Sequence, residues 1–324
     1  MKIGLLLPTR DALLDGDPSV EPILRLAQDA EAAGLDSVWV GDSPVARPRH
    51  DTMTVLAAVA ARTRRITLGS AVLVAPLRHP LLVLHQAATV DLISDGRLVL
   101  GLGAGFPLAQ TQQQFESLQA DYARRGARLD DVLRLASHLW SGPGGPFTGK
   151  TMSADDPKIE PGPRTPGGPP RWIAAGGPRG LRRVGELADG WLPYPPTPET
   201  YAADLAAVRR AADDAGRACP VPAFYATVCV GDDAAAAKAA LDAGVERYYG
   251  YPAAAVQKHQ AVFGGTPDEL VPWLQSYQQA GAEHVVVRFS GQRTQPMIQL
   301  LAQAKQTLST PASRPAHEHA GAAR

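Results

Sequence analysis

A few positions in this chain carry groups able to do chemistry. Asp42 closes the apolar run Ser37-Val38-Trp39-Val40-Gly41, and a carboxylate at a strand end can accept a hydrogen bond from a ring or a substrate hydroxyl. The structural alternatives are a helix N-cap or the partner of a nearby arginine. His79, just before Pro80, is placed to touch substrate or cofactor, or to cap the helix that Pro80 begins. Arg288 lies late in the run His284-Val285-Val286-Val287-Arg288-Phe289 and is a site candidate. His284 opens the same run and is expected to be structural, His85 is read as packing, and His50 is a weaker candidate base. Two glycine-rich turns complete the set. Gly103-Ala104-Gly105 would let backbone approach a flat ligand closely. Gly176-Gly177-Pro178-Arg179-Gly180 opens a helix, where free N–H groups beside an arginine suit a phosphate. Pro178 has no N–H, so Gly176, Gly177, Arg179 and Gly180 would supply the donors, with a plain turn as the alternative. No His, Cys, Asp or Glu cluster has metal-ligand spacing, and no Gly-x-Ser-x-Gly elbow occurs.

These residues need a scaffold that brings distant turns together. Short apolar runs at 3–7, 37–40, 66–74, 98–103, 171–175, 190–192, 222–230 and 284–289 alternate with helical patterns near 18–33, 52–63, 80–94, 121–140, 179–188, 198–215, 233–244 and 266–280. Continuous apolar strands fit a parallel sheet buried on both faces. Strict alternation implies right-handed crossovers. Eight such units point to a closed (β/α)8 TIM barrel, an open doubly wound sheet being the alternative. Pro80, Pro178 and Pro267 stand at helix starts, and Gly34 and Gly281 at helix ends. In a barrel the C-terminal strand ends face the site and the N-terminal ends the stabilising base. That sorting puts Asp42, His79, Arg288 and both glycine turns at the top, with His284 and Arg97 at the bottom. Arg97 is expected in a structural ion pair there. Trp191 would line the pocket or fill core. The Pro/Gly-dense stretch 141–170 is read as a long loop over one end of the barrel, and 245–265 as irregular chain. The barrel domain is expected over 1–308, with a disordered tail over 309–324.

Composition narrows the classes of function. Lys plus Arg and Asp plus Glu number 32 each, so no basic excess points to nucleic acid or an anionic membrane surface. Two cysteines, Cys219 and Cys229, argue against a disulfide framework or a Cys-based zinc site. The opening apolar run is cut by Pro8 and reads as a first strand rather than a leader, and nothing approaches a membrane span. The expectation is a soluble, cytoplasmic protein.

Several blocks then carry a family resemblance in order along the chain. They are Ser37-Val38-Trp39-Val40-Gly41-Asp42, Leu56 to Thr63, Ile66-Thr67-Leu68-Gly69, Pro76-Leu77-Arg78-His79-Pro80 and Ala88 to Gly105. Trp172 to Pro178, Leu187 to Trp191 and Gly265-Thr266-Pro267-Asp268-Glu269 follow. Together they resemble the luciferase-like flavin-dependent oxidoreductases over residues 1 to about 305. The resemblance implies loop insertions at the C-terminal face and a cofactor, either reduced FMN or the 8-hydroxy-5-deazaflavin coenzyme F420. It also implies a non-prolyl cis peptide at Ala71–Val72 that supports the flat ring. Cofactor contacts at Ala71, Val72, Gly103, Ala104 and Gly105, and phosphate contacts at Gly176, Gly177, Arg179 and Gly180, rest largely on it. Ser43 stands where several hydride-abstracting deazaflavin dehydrogenases have histidine, which counts against an alcohol- or sugar-dehydrogenase role.

The leading expectation is a monooxygenase using reduced FMN and oxygen on a small organic substrate, with Asp42, His79 and Arg288 as the chemical residues. A separate flavin reductase would supply the reduced cofactor. The alternatives are a coenzyme F420-dependent reductase or dehydrogenase acting without oxygen, and a flavin-binding protein without catalysis. Exclusion of water would fall to 141–170 or 245–265 acting as a lid. The resemblance also implies a homodimer.

Overall fold

The strand Leu98–Gly103 is buried at all six positions, as are Ser37–Val40 and His284–Phe289 at all of theirs. Strands with neither face in water must be covered on both sides. A computed structural model, which describes residues 1–142, 144–291 and 295–309, shows how. Barrel strands 1 to 8 are Lys2–Leu6, Ser37–Val40, Thr67–Ser70, Leu98–Gly103, Arg171–Ile173, Gly190–Trp191, Val221–Val230 and His284–Phe289. Each pairs in parallel with the next, and strand 8 returns to strand 1 through Lys2 opposite His284. The expected closed α/β barrel is therefore present. The tail from residue 310 lies outside the described residues.

Alternation along each strand feeds two cores. Val38 and Val40 point outward into the layer shared with the helices. Trp39 points inward with Leu6, Ala71, Val99, Trp172, Tyr225 and Val286 and fills the bore. Trp39 and Trp172 lie 5.2 Å apart, and His284 meets both rings edge-on. His284 Nε2 contacts Ser37 Oγ at 2.8 Å, and Ser37 Oγ also accepts from Trp39 Nε1 at 2.7 Å. Burial pushes the imidazole down to about pH 4, so it serves as a neutral packing group at the base.

Three departures matter for the site. The expected strand 66–74 is broken: it runs Thr67–Ser70, stops at Ala71–Val72, and resumes as Leu73–Val74 against strand 4. Residues 245–265 are ordered rather than irregular. Helix Ala234–Tyr249 continues past the expected end, a short helix spans Ala253–Gln257, and Ala261–Gly265 forms a further parallel strand. The reason lies in strand 7, which has ten residues while strand 6 pairs with only Val221 and Pro222. Its upper half would be a bare edge, and Ala261–Gly265 covers it. Finally, 141–170 does not cover the mouth. Thr165 donates to Asp91 and Arg164 to Asp95, both at the C-terminal end of helix Pro80–Ser94. A connection from a helix end to a strand start emerges at the barrel's base, so 231–265 is the insertion on the C-terminal face.

Candidate active site

Strands 3, 4 and 5 build a seat largely from backbone. The Ala71–Val72 peptide is cis, as the resemblance implies. It lies hard against strand 4: a Cβ on Gly101 would stand 1.9 Å from the Ser70 carbonyl oxygen, and one on Gly103 2.8 Å from Val72 Cγ2. Only glycine permits that approach, and Ser70 Oγ fixes it by donating to the Gly101 carbonyl at 2.7 Å. Ala104 and Gly105, both half-buried, carry the chain over the mouth towards exposed Phe106. The Phe106 ring meets Tyr194, from the end of strand 6, at 5.4 Å.

Strand 5 leads into the second glycine turn. Helix Gly177–Leu187 begins without a side-chain cap, and Gly177 has φ 68°. A Cβ on Gly176 or Gly177 would meet nothing within 4 Å. The first N–H groups are therefore open to a ligand. Arg179 is exposed beside them with no side-chain partner among the described residues, while Gly180 is buried against Ala175 and offers only its backbone. A flat ring held at Ala71, Val72 and Gly103–Gly105, with an anionic tail at Gly176–Gly180, fits these residues.

Asp42 buttresses that seat from strand 2. Its side chain is 2% exposed and bound on every side. Arg78 Nη1 and Nη2 donate at 2.7 and 2.9 Å, the Val74 N–H at 2.9 Å and Thr52 Oγ1 at 3.2 Å. Burial would lower the Arg78 guanidinium, but the bonds and charge of Asp42 overcome it and raise it. Since Val74 follows directly on Ala71–Val72 and Leu73, the carboxylate ties strand 2 to the far side of the break. Of the two structural roles weighed for Asp42, partner to an arginine is what the geometry displays, and Asp51 is the N-cap of the following helix.

Arg288 stands on the other side of the mouth. Its guanidinium lies 3.5 Å over the Tyr248 ring and donates to Asp11 Oδ1 at 2.9 Å. Arg10 and Arg49 face the same ring at 4.6 and 5.6 Å, and Arg49 also bonds the Tyr248 hydroxyl. Burial alone would raise the Tyr248 phenol; the charges of Arg49, Arg10 and Arg288 overcome it and hold it below the ordinary tyrosine value. Burial pushes Tyr225 and Tyr194, which bridge this cluster to the seat at 4.8 Å from one another, well up instead. The sequence pattern did not single out Arg10, Arg47, Arg49 or Tyr248. The available signal was position, because Thr9-Arg10 follows strand 1 and Arg47-Pro48-Arg49 lies in the loop after strand 2.

The remaining candidates separate cleanly. His79 is exposed at the start of helix Pro80–Ser94, and its side chain makes no capping bond. His50 is held between the carbonyls of Thr9 and Pro18 at 3.2 and 3.0 Å. Ser43 is buried and accepts from the Arg47 N–H at 3.2 Å. Trp191 is core: it stacks on Tyr201 and donates to the Ala175 carbonyl at 2.9 Å. His85 is exposed rather than packed. Arg97 is structural as expected, though it makes no ion pair among the described residues. It donates to the carbonyls of Ala60, Thr63, Ile66 and Ser94 and to Thr63 Oγ1. A concavity of about 510 Å³ lined by Lys2, Asp36, Arg209 and Lys305 lies at the base, away from these groups.

The description luciferase-like monooxygenase belongs to the family model that matches residues 1–294. An F420-dependent glucose-6-phosphate dehydrogenase of Amycolatopsis mediterranei (strain U-32) is 34% identical over 177 residues, 52% of each chain. The present chain thus spans about half the length of that relative. A phthiodiolone/phenolphthiodiolone dimycocerosates ketoreductase of Mycobacterium kansasii is 27% identical over 327 residues, covering 80% of this chain and 88% of that one. The monooxygenase RslO1 from Streptomyces bottropensis shares the fold, with a TM-score of 0.82 over 96% of this chain and 100% of that one at 22% identity. F420-dependent and FMN-bound proteins both occur among the related chains. By the match over residues 1–294, the chain belongs to the luciferase-like family.

Proposed function

We propose that this enzyme is a coenzyme F420-dependent reductase or dehydrogenase that acts on a small organic substrate without oxygen. The observation carrying this reading is the 34% identity with the F420-dependent dehydrogenase, and the ketoreductase matched over most of the chain supports it. These relatives weigh against placing the FMN monooxygenase first, as the sequence blocks alone had suggested. Ser43 still counts against a sugar- or alcohol-oxidising role, and the ketoreductase match favours reduction of a carbonyl.

When bound, the coenzyme supplies or accepts a hydride at its ring. Ala71, Val72, Gly103, Ala104 and Gly105 hold that ring, while the Gly176, Gly177, Arg179 and Gly180 N–H groups and the Arg179 side chain hold its phosphate. Asp42 fixes the seat through Val74 and Arg78. His79, exposed at the mouth, exchanges the substrate proton, since imidazole can both take and release one. Arg288 orients the substrate from the opposite side. The 231–265 insertion limits water over the mouth. The FMN reading, with a separate reductase, remains the second one, because the same seat suits either ring and the family model carries the monooxygenase description.

The apolar surface of helix Pro80–Ser94, with Leu82, Leu92 and Ile93 exposed, supports a homodimer. Cys219 and Cys229 are both free, in keeping with a reducing cytoplasm. Among the described residues no helix is long and apolar enough to cross a membrane. The test is anaerobic. Reduced coenzyme F420 is mixed with enzyme and a panel of ketones and aldehydes, and its reoxidation is followed by absorbance. Turnover without oxygen is expected. Oxygen uptake with reduced FMN, and none of that anaerobic turnover, would reverse the order of the two readings.

A further inference from the structure

We infer that the mouth carries, opposite the cofactor seat, a recognition site for an oxyanion on the substrate, a phosphate or carboxylate group gripped by Arg10, Arg47, Arg49 and Arg288. The inference rests on the reading that strands 3 to 5 seat the cofactor, which leaves the ends of strands 1, 2 and 8 to the substrate.

Charge is the first ground. Four guanidinium groups converge, and Asp11, on Arg288, is the one carboxylate in ion-pair contact with any of them among the described residues. Arg10 is 8% and Arg288 2% exposed, so water does little to screen them. Like charges gathered out of water are costly unless something of opposite sign completes them. The Tyr248 ring faces and hydroxyl offset only part of the excess. Burial and then the charge of Arg49 bring Arg10 down to about 10, whereas, against burial, Tyr248 and Asp11 keep Arg49 and Arg288 raised, so the uncompensated charge falls on Arg10.

Unmet hydrogen-bonding capacity is the second ground. Nε of Arg10, Arg47, Arg49 and Arg288, together with Nη1 of Arg288, are buried without a partner among the described residues. Arg49 and Arg288 are each held by one firm bond, to the Tyr248 hydroxyl and to Asp11, whereas the side chains of Arg10 and Arg47 make only long ones among the described residues. Arg10 and Arg47 both reach for the Tyr248 carbonyl, at 3.4 and 3.3 Å. Arg97 at the base, by contrast, uses Nε and both Nη groups on carbonyl and hydroxyl acceptors. Nε–H and Nη–H donors in planar forks match the oxygens of a carboxylate or phosphate.

Placement is the third. A Cβ on Gly41 would stand 2.3 Å from Arg49 Nη1, so the absence of a side chain there lets the guanidinium lie flat on the strand 2 backbone. Arg49 is thereby set before ligand arrives. An anionic group anchored here would hold the reacting carbon towards the seat across Tyr194 and Tyr225, and its binding energy would serve to orient the substrate.

The test uses inorganic phosphate and acetate, each titrated against chloride at constant ionic strength, with thermal unfolding and calorimetry as readouts. Wild type, Arg47→Gln, Arg49→Gln and Arg179→Gln are compared, and coenzyme F420 is titrated into the same samples. Saturable stabilisation by phosphate or acetate beyond chloride is expected, weakened at least tenfold in Arg49→Gln and in the less buried Arg47→Gln, and retained in Arg179→Gln. A preference for phosphate identifies a phosphoryl substrate, and one for acetate a carboxylate. The inference is overturned if neither anion stabilises wild type beyond chloride. It is equally overturned if the effect survives both cluster variants and vanishes in Arg179→Gln, which would put the anion at the cofactor turn. Wild type that binds F420 but neither anion loses this inference alone. Wild type that binds an anion through the cluster but not F420 keeps it and loses the cofactor reading.

Discussion

Replacing Asp42 by asparagine tests whether that carboxylate is a buttress or a proton carrier. It accepts four hydrogen bonds, at 2.7, 2.9, 2.9 and 3.2 Å, in a side chain 2% exposed. Asparagine keeps the shape but turns one oxygen into a donor facing other donors. Its least costly orientation points the NH2 at Thr52, whose hydroxyl can accept while donating to the Gly41 carbonyl at 2.8 Å, and so abandons Arg78 Nη2 and weakens the bond to Nη1. A hydrogen bond to a charged group contributes roughly 1.5–3 kcal/mol, and breaking a buried pair costs about 3–5 kcal/mol, so a loss near 3 kcal/mol is expected. For a chain of 324 residues that lowers Tm by about 5 °C. Because the Val74 N–H is one of its donors and Leu73–Val74 pairs with strand 4, the seat should loosen too, weakening the deazaflavin by about 1 kcal/mol, or roughly fivefold in Kd. Differential scanning fluorimetry and a fluorescence titration measure both. The pH–rate profile should keep its shape. Unchanged Tm and coenzyme affinity, with turnover abolished and one ionisation gone from the profile, would refute the buttress and make Asp42 the proton carrier.

Further expectations follow from the same geometry. Arg97→Met strands the four carbonyls it now serves and should cost about 3 kcal/mol or more of stability by equilibrium denaturation, while coenzyme affinity in the folded fraction stays put. His284, held near pH 4 against an ordinary 6.5, binds fewer protons folded than unfolded between those values. Stability should therefore fall as pH drops from about 6.5 to 4, by about 3 kcal/mol, and urea midpoints of His284→Gln should be flatter across that window. Gly177→Asp sets a carboxylate beside the uncapped helix N-terminus at φ 68°. Isothermal titration should show coenzyme binding weakened at least about a hundredfold, close to 3 kcal/mol, with the fold intact by circular dichroism.

The barrel was legible because its signal is repeated. Fully buried strands leave uninterrupted apolar runs, and the ends of Ser37–Val40, Leu98–Gly103 and His284–Phe289 agree with those runs to the residue. In the candidate seat the sequence pointed to Gly103, which does stand where Val72 crowds strand 4, while Gly101, closer still to Ser70, was not singled out. What escaped was long-range or one-sided. The strand Ala261–Gly265 exists because strand 7 outruns strand 6, and no local pattern records the length of a neighbour. Stretch 141–170 resembled a lid by composition, yet its ends fix it to the base. The arginine cluster gathers Arg10, Arg49 and Arg288 from the two ends of the chain around Tyr248. Only closure of strand 8 onto strand 1 brings them together.

The most direct test of the central claim is an equilibrium titration of the purified apoprotein with coenzyme F420 and, separately, with FMN, each oxidised and reduced, followed by fluorescence. Binding of the deazaflavin at least about tenfold tighter than FMN, a difference near 1.4 kcal/mol, is the expected result. Preferential binding of reduced FMN, with the deazaflavin no tighter than about 1 mM or roughly 4 kcal/mol, would contradict it.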